Sequence, residues 1–262
     1  MVDAVSDVVD LSGSVEFDPP DAMRGLGVVA PFDFALDDEY WRWLGAGVNM
    51  YITRTPFLDL PVSVKMAEAV SAIDDVAVAA RALRAAQPAS ILYACTSGSF
   101  VGGAAGERAL RECLSAAAQA PAVTTSGALL DALAALGVGT VAIATPYDAE
   151  ITRRLATFLA EAGHRVVGSA YLGLDADIAR VDARTVRRLA VAADNRDADA
   201  VFVSCTNLRT FDLIADLEQE LGKPVLSANQ VSLWAALRSG GLALAAVDQR
   251  LFRVPARPLP DR

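Results

Sequence analysis

Two short stretches of the chain place a cysteine directly after an apolar run and directly before small polar residues. The first reads ILYACTSGSF over residues 91–100, and the second reads VFVSCTNLRT over residues 201–210. A thiol where a buried strand ends lies beside free backbone N–H groups, which favour both a bound anion and the reactive thiolate. Cys95 and Cys205 are therefore candidate catalytic residues. Their neighbours are candidate carboxylate-binding residues: Thr96, Ser97, Thr206 and Asn207.

A free cysteine at a strand end is more often a small core residue than a catalyst. Two of them in matching contexts favour the functional interpretation. Cys113 lies within a helical pattern without a polar loop, and we assign it to the core. The only histidine, His164, follows Gly163 in a predicted turn, so a Cys-His or Ser-His-Asp triad has no base. The cysteine and histidine spacings do not fit a zinc site, and no GxxxxGK[ST] motif is present.

Short apolar runs alternate with alanine-rich helical stretches along most of the chain. Strands are predicted at GLGVVA, VNMYITRTPF, ASILYAC, TVAIATP, HRVVGSAYL, ADAVFVSC and KPVLSAN. Helices are predicted between them, among them residues 64–87 with a break near Asp74 and Asp75, 103–120, 126–137, 149–163 and 230–241. This alternation predicts an α/β protein with parallel sheets covered by helices on both faces. Because the two Cys-Thr strands occupy matching positions, it also predicts an internal duplication with two facing lobes.

The composition bounds the partners and the compartment. The 262 residues carry a formal charge of −9, with 53% hydrophobic and 21% charged residues. No basic footprint for nucleic acid or for an anionic membrane surface is present, although a local pocket can still bind a small anion. Three cysteines favour a reducing compartment, and the first twenty residues lack the features of a secretory signal. We expect a cytoplasmic protein with a flexible N-terminal arm over residues 1–20.

Three motifs resemble one known group. ACTSGSFVGG, VAIATPYDAEI and SCTNLRTFDLIADLEQELGKPVLSANQVSLWAALR are similar to the aspartate/glutamate racemase superfamily, and most similar to its maleate cis-trans isomerase and arylmalonate decarboxylase branch. The resemblance covers residues 25–240 approximately. It implies two pseudo-symmetric Rossmann-like lobes with the active site in the cleft between them. The first lobe would comprise residues 21–120 and 226–262, and the second lobe residues 121–225.

The resemblance also implies site residues and a reaction. Cys95 and Cys205 correspond to the family's paired cysteines, and Tyr147 corresponds to a tyrosine that binds a substrate carboxylate. Thr96, Ser97 and Thr206 correspond to further carboxylate-binding positions, whereas Asn207 either contacts substrate or organises its loop. Two cysteines imply a cis-trans isomerase of a small unsaturated mono- or dicarboxylic acid, in which Cys95 adds to the alkene and Cys205 acts as acid and base.

Other functions remain as alternatives. They are a two-cysteine racemase or a decarboxylase of a small carboxylic acid, for example in the catabolism of a zwitterionic solute, or a carboxylate-binding protein without turnover. The family uses no metal or organic cofactor, and many of its members form homodimers. Trp41 and Trp43 would lie at such an interface or pack inside the protein.

Two positions depart from the family pattern. The turn after the first strand reads APFDFALDDEYWRWL, with Asp33 near the place of a substrate-binding asparagine. Asp33 is therefore either a substrate contact or, like Asp37, a residue that caps the following helix. A second family asparagine belongs near residues 172–180, where this chain has Asp175 and Asp177. An acid at either place would repel a dicarboxylate, so the substrate is expected to carry one carboxylate and an apolar or cationic group.

Overall fold

The computed structural model of the protein describes residues 9–16 and 24–255. The described residues form two four-stranded sheets in which every pairing is parallel. The first sheet contains β1 (Gly25–Ala30), β2 (Asn49–Arg54), β3 (Ser90–Tyr93) and β4 (Ala122–Thr124). The second sheet contains β5 (Thr140–Thr145), β6 (Arg165–Tyr171), β7 (Ala200–Val203) and β8 (Val225–Ser227). The predicted α/β fold with parallel sheets is confirmed.

The two sheets have the same topology. The strand order is β2-β1-β3-β4 in the first and β6-β5-β7-β8 in the second, so corresponding strands occupy corresponding places. The central strands β1, β3 and β7 are buried along their whole length, whereas the edge strands β2 and β6 are partly exposed. Continuous apolar runs such as GLGVVA and AVFV suit strands that are covered on both faces.

Ten α-helices connect and cover the strands of the described chain. They are α1 (Asp37–Trp41), α2 (Val64–Val70), α3 (Ile73–Ala82), α4 (Thr96–Phe100), α5 (Gly103–Ala118), α6 (Thr125–Leu136), α7 (Ala149–Glu161), α8 (Ala183–Ala193), α9 (Ile214–Leu221) and α10 (Ala228–Ser239). The predicted helix over residues 64–87 is interrupted at Ser71 and Ala72, just before the expected aspartates. A helix after Asp33 was implied and is α1, whereas the short helix α4 was not predicted.

The last helix joins the two halves of the molecule. α10 follows a strand of the second sheet but packs against α6 and against β3 and β4 of the first sheet. The Ser90 hydroxyl in β3 donates to the Ala236 carbonyl oxygen in α10 at 2.7 Å. Strand pairing puts β4 in the first sheet and β8 in the second. The lobe boundaries after residues 120 and 225 stay a prediction.

The remaining expectations concern the N-terminal arm, a membrane-spanning helix, the two tryptophans and a homodimer. Of the predicted arm, residues 1–8 and 17–20 lie outside the described residues, and residues 9–16 are exposed around a single 3-10 turn at Ser12–Ser14. Among the described residues, no helix is long and apolar enough to cross a membrane. Trp43 is buried and donates to Gln249 at 3.1 Å, whereas Trp41 is about half exposed. A homodimer stays a prediction.

Candidate active site

The central strands of both sheets end at one cleft. β1 and β3 of the first sheet and β5 and β7 of the second lead into it from their carboxyl ends, where parallel α/β sheets bind ligands. The cleft encloses about 340 Å³ of empty space, part of it open to solvent. Its lining consists of Pro31, Asp33, Val62, Met66, Cys95, Thr96, Ser97, Tyr147, Ile178, Cys205, Thr206 and Asn207. All eight candidate site residues inferred from the sequence are among them.

Cys95 forms the N-cap of α4. Its backbone is extended, with φ −138°, and its sulfur accepts a hydrogen bond from the Gly98 N–H at 3.4 Å. The Ser97 hydroxyl lies 3.9 Å from the same sulfur. A Cβ at position 98 would come within 2.6 Å of the Tyr93 hydroxyl and 3.2 Å of the Cys95 sulfur, which explains the glycine. The thiol is therefore held in place by the first turn of its own helix.

Cys205 is held differently from Cys95, although both follow matching strands. Its backbone has φ +92°, a region that disfavours side chains with a Cβ, and no helix starts immediately after it. The sulfur accepts a hydrogen bond from the Asn207 N–H at 3.4 Å. Backbone strain of this kind persists where the surrounding contacts enforce it, and it is common in active sites. The strain therefore marks the second cysteine as the more tightly constrained of the two.

This difference predicts opposite orders of stability at the two positions. Cys205→Gly should have a free energy of unfolding about 1 kcal/mol higher than Cys205→Ala, because glycine tolerates the positive φ without strain. At position 95 the order should reverse by about 0.5–1 kcal/mol, since glycine only adds chain entropy to the unfolded state there. Urea unfolding of the four variants measures both differences. Alanine being the more stable at both positions would contradict the assigned strain.

Both thiols are protonated at neutral pH. Burial is the main cause that raises the pKa of Cys95 to about 11 and the pKa of Cys205 to about 12. The negative charge of Asp33 raises both pKa values further. The Gly98 N–H opposes this at Cys95, and at Cys205 the Asn207 N–H and the Tyr147 hydroxyl do so. Both groups are therefore neutral thiols at rest, which can donate a proton and become nucleophilic only after losing it.

Two neutral hydroxyl groups line the floor of the cleft. Tyr147 is 2% exposed, and burial raises its pKa well above the ordinary value, so its hydroxyl stays a hydrogen-bond donor. The Thr96 hydroxyl is also buried and has no hydrogen-bond partner among the described residues. A buried hydroxyl without a hydrogen-bond partner lowers the stability of the protein until a ligand accepts a hydrogen bond from it. Together with the backbone N–H groups of Thr96 and Ser97 at the start of α4, these hydroxyls can receive an oxyanion.

The other two candidate carboxylate-binding residues join the halves of the molecule. The Thr206 hydroxyl donates to the Ala94 carbonyl oxygen at 3.2 Å. The Asn207 side chain donates to the Asp33 carbonyl oxygen at 3.1 Å and accepts from the Ala35 N–H at 3.0 Å. Both side chains are thus already engaged with the backbone of the first half. Of the two roles considered for Asn207, the structure favours the organisation of the loop.

A buried acid completes this connection. Glu39 in α1 is 2% exposed, and one of its carboxyl oxygens accepts from the N–H of Thr210, the hydroxyl of Thr210 and the N–H of Phe211, each at 2.9 Å. Two exposed ion pairs flank it, Arg209 with Asp38 and Arg42 with Asp212, each at 2.7 Å. The segment that follows Cys205 is therefore fastened to α1. Sequence reasoning missed Glu39, since a lone Glu beside two Asp residues gives no sign of burial.

Among the described residues that line the cleft, Asp33 is the only one with a formal charge at neutral pH, since both thiols are protonated. It does not cap α1, whose N-cap is Leu36 and lacks a side-chain cap, and Asp37 instead pairs with Arg54 at 2.9 Å. The capping alternative for Asp33 is therefore wrong. The residue is exposed at the mouth of the cleft, yet the surrounding protein removes enough water to raise the pKa of its carboxyl.

Four apolar side chains form the rest of the lining: Pro31, Val62, Met66 and Ile178. Val62 is positioned by a hydrogen bond from its N–H to the Asp175 carbonyl oxygen at 2.8 Å, which bridges the two halves. Asp175 and Asp177, expected in place of a family asparagine, are exposed and do not line the cleft. Ile178 does so instead. Cys113 lies outside the cleft and is half-buried rather than fully in the core.

The family model for arylmalonate decarboxylase matches residues 62–252 of the chain. Among curated proteins, arylmalonate decarboxylase of Bordetella bronchiseptica is 39% identical over 173 residues, which are 64% of this chain and 72% of the relative. Maleate isomerase of Nocardia farcinica is 30% identical over 168 residues, covering 61% and 67% of the two chains. The described residues contain no group of three or more side chains that could hold a metal ion.

Solved structures of an arylmalonate decarboxylase and of a maleate isomerase are similar to this chain over nearly their whole length. A liganded arylmalonate decarboxylase with one glycine-to-cysteine and one cysteine-to-serine substitution has a TM-score of 0.81 and 32% identity, covering 88% of this chain and 99% of that one. Nocardia farcinica maleate cis-trans isomerase bound to TRIS has a TM-score of 0.79 and 25% identity, covering 88% and 98%. By the extent of the family match and by the identity with its relatives, this chain belongs to the arylmalonate decarboxylase family, in the branch that includes the maleate isomerases.

Proposed function

We propose that this protein is a two-cysteine isomerase that converts a cis-alkenoic acid with one bound carboxylate into its trans isomer. The observation that carries the proposal is the meeting of Cys95 and Cys205 in one cleft, each from a corresponding strand end. The relatives are an arylmalonate decarboxylase and a maleate isomerase, and their names support a cysteine-using isomerase or decarboxylase of small carboxylic acids. The presence of two thiols favours the isomerase.

The substrate carboxylate would bind at the floor of the cleft. Thr96 offers a buried hydroxyl without a partner, and Tyr147 offers a second neutral donor. The backbone N–H groups of Thr96 and Ser97 add two donors, whereas the Thr206 hydroxyl is committed to Ala94. Donors fixed before the reaction stabilise charge that develops on the carboxylate oxygens without having to reorganise. These donors should stabilise an enediolate more than a carboxylate, because the enediolate carries a second negative charge on the same oxygens.

The chemical step begins with loss of the Cys95 proton to solvent. The thiolate then adds to the alkene carbon that is β to the bound carboxylate, and the π electron pair moves into the carboxylate to form an enediolate. Cys205, as the protonated thiol, then delivers its proton to the α-carbon, and the protonated intermediate rotates about the former double bond, which is now single. The Cys205 thiolate takes the proton back, so the enediolate re-forms and expels Cys95 as a thiolate. The trans acid leaves, Cys205 is again a thiol, and Cys95 recovers its proton from solvent.

Decarboxylation is the second candidate, and two observations favour it. The relative with the higher identity is a decarboxylase, and the apolar side chains of Val62, Met66 and Ile178 offer no stabilisation to a second carboxylate. Loss of CO₂ from a malonate-type acid would leave its electron pair as the same enediolate, which Cys205 would then protonate. Racemisation would use the same two thiols on opposite faces of an α-carbon.

Tyr147→Phe tests the oxyanion role in all of these reactions. The variant should lose about 100-fold in kcat, because one donor to the enediolate is removed and the pKa of Cys205 rises further. Steady-state kinetics with any substrate that turns over measures the loss. Tyr40→Phe is the matched control, since the Tyr40 hydroxyl is buried without a hydrogen-bond partner in the described chain and lies outside the cleft lining. Equal losses in both variants would argue against the role.

The experiment for the proposal is proton NMR of the purified protein in D₂O with three kinds of acid: maleate and cis-alkenoates, chiral 2-arylpropanoates, and 2-arylmalonates. A trans alkenoate as the product supports the isomerase. Deuterium at an α-carbon without a change of alkene geometry supports racemisation, and CO₂ release supports decarboxylation. No change in any of the acids, under conditions where the protein binds them, would overturn the proposal in favour of a binding protein.

A further inference from the structure

The charge at the mouth of the cleft suggests which small acid the site accepts. Among the described residues that line the cleft there is no lysine, arginine or histidine, and Asp33 is the one carboxyl group. The donors to a carboxylate, Thr96 and Tyr147, are 1% and 2% exposed at the floor, whereas Asp33 is exposed. The cleft thus offers neutral hydrogen-bond donors in its depth and an acid at its entrance.

Asp33 has no cationic partner within ion-pair distance in the described part of the chain. The positive charge of Arg54 lowers the pKa of Asp33, but its guanidinium is bound by both carboxyl oxygens of Asp37, at 2.9 and 3.2 Å. The backbone of Asp33 is fixed by the hydrogen bond from Asn207 to its carbonyl oxygen. The carboxyl is therefore held at the cleft with its charge uncompensated by contact.

We infer that the substrate carries a cationic group, such as a protonated amine, that pairs with Asp33 while its carboxylate binds at the cleft floor. This inference rests on the proposed function and names its substrate class. A second carboxylate at the mouth would meet Asp33 at close range and would be repelled, whereas an ammonium group would gain a charge-assisted hydrogen bond. An amino carboxylic acid therefore matches both ends of the cleft, and a dicarboxylate matches only one.

Three probes of similar size isolate the contribution of this charge: cis-4-aminobut-2-enoate, (Z)-pent-2-enoate and maleate. Calorimetry at pH 7.5 on a Cys95→Ser/Cys205→Ser background measures the dissociation constants without turnover. The amino acid should bind about tenfold more tightly than the neutral acid, and maleate should bind most weakly. In Asp33→Asn the affinity for cis-4-aminobut-2-enoate should fall about tenfold, and the affinity for maleate should rise. The affinity for (Z)-pent-2-enoate should not change.

The outcomes separate this inference from the proposed function. If maleate binds as well as the amino acid, or if the order of the three ligands is the same in Asp33→Asn, the inference is wrong even where isomerisation is observed with intact cysteines. If the ligand order changes as expected but no acid is isomerised, the inference stands and the proposed function fails. Asp33→Ser provides a second variant should the asparagine disturb the turn. Failure of all three acids to bind at 10 mM would overturn the substrate class.

Discussion

Cys95→Ser and Cys205→Ser are each expected to lower kcat/KM for isomerisation by roughly 10³–10⁴-fold. Serine is nearly isosteric with cysteine, but its hydroxyl is a far weaker acid and a poor nucleophile towards an alkene. Removal of Cys95 eliminates the addition, and removal of Cys205 eliminates the proton exchange at the α-carbon. Following the trans product by NMR over hours allows a rate that is roughly 10³–10⁴-fold lower to be measured.

The matched control is Cys113→Ser, because Cys113 is half-buried, lies outside the cleft and should not affect the rate. Cys95→Gly adds a second discrimination. Decarboxylation needs only the thiol that protonates the enediolate, so this variant should keep any decarboxylase activity while isomerisation and racemisation disappear. Full isomerase activity in Cys95→Ser would show that addition of sulfur to the alkene is not the mechanism.

The position of the site followed from the sequence because one rule governs it. Cys95, Tyr147 and Cys205 each come directly after an apolar run, and the carboxyl ends of parallel strands meet at a common edge. Asp33 follows the first strand in the same way. The rule requires only that the strands be recognised, and continuous apolar runs made them recognisable. The rule therefore predicted that Cys95 and Cys205 share a cleft without any knowledge of the distance between them, whereas Tyr147 and Asp33 were candidates because of the family resemblance.

The local conformation at the two cysteines could not be predicted in the same way. The stretch TSGSF contains two serines and a glycine, which disfavour helix, yet it forms α4 because Cys95 caps it and the surrounding core buries it. The stretch after Cys205 forms a turn instead. Its conformation depends on Glu39 and Asp33, residues distant in sequence that hold it through hydrogen bonds. Matching motifs therefore predicted a symmetry that tertiary contacts break.

The apolar part of the lining also depends on contacts that no motif encodes. Val62 lies in an irregular segment and reaches the cleft through its hydrogen bond with Asp175. Ile178 lies in a 3-10 turn of the other half, Ile178–Arg180. Neither has a neighbouring pattern that distinguishes it from other isolated apolar residues in loops. The family resemblance placed an acid from residues 172–180 at the cleft, whereas Ile178 lines it.

Alkylation of the two active-site thiols is expected to accelerate about a thousandfold between pH 7 and pH 10. The thiolate is the reactive form, and a pKa of about 11 leaves only about one Cys95 in ten thousand ionised at pH 7. While the pH is below the pKa, each increase of one pH unit therefore raises the rate of alkylation about tenfold. Cys205, with a pKa of about 12, should react more slowly than Cys95 at every pH in this range. Iodoacetamide labelling of a Cys113→Ser variant, followed by peptide mass spectrometry, resolves the two sites.

The same ionisation changes the stability in a direction that the pKa values fix. Both thiols have a higher pKa in the folded protein than the ordinary value of 9.0, so the neutral form is favoured by folding. Their contribution to stability is complete below pH 9 and is lost as the pH rises towards 11 and 12, by about 1.4 kcal/mol per pH unit for each thiol. The alanine variants at positions 95 and 205 should lose less stability over this range.

The pH profile of alkylation also distinguishes a buried thiol from one that reacts only when the protein unfolds. A thiol that is labelled through unfolding titrates with the pKa of a free cysteine, so its rate would level off near pH 9, apart from any change in the unfolding equilibrium. A thiol ionised within the folded cleft continues to accelerate beyond pH 10. Asp33→Asn should shift the rise to lower pH at both cysteines, because the charge that raises their pKa values is removed. A plateau below pH 8 would instead mean that the cleft stabilises the thiolate, and Cys95 would then attack without first losing a proton to solvent.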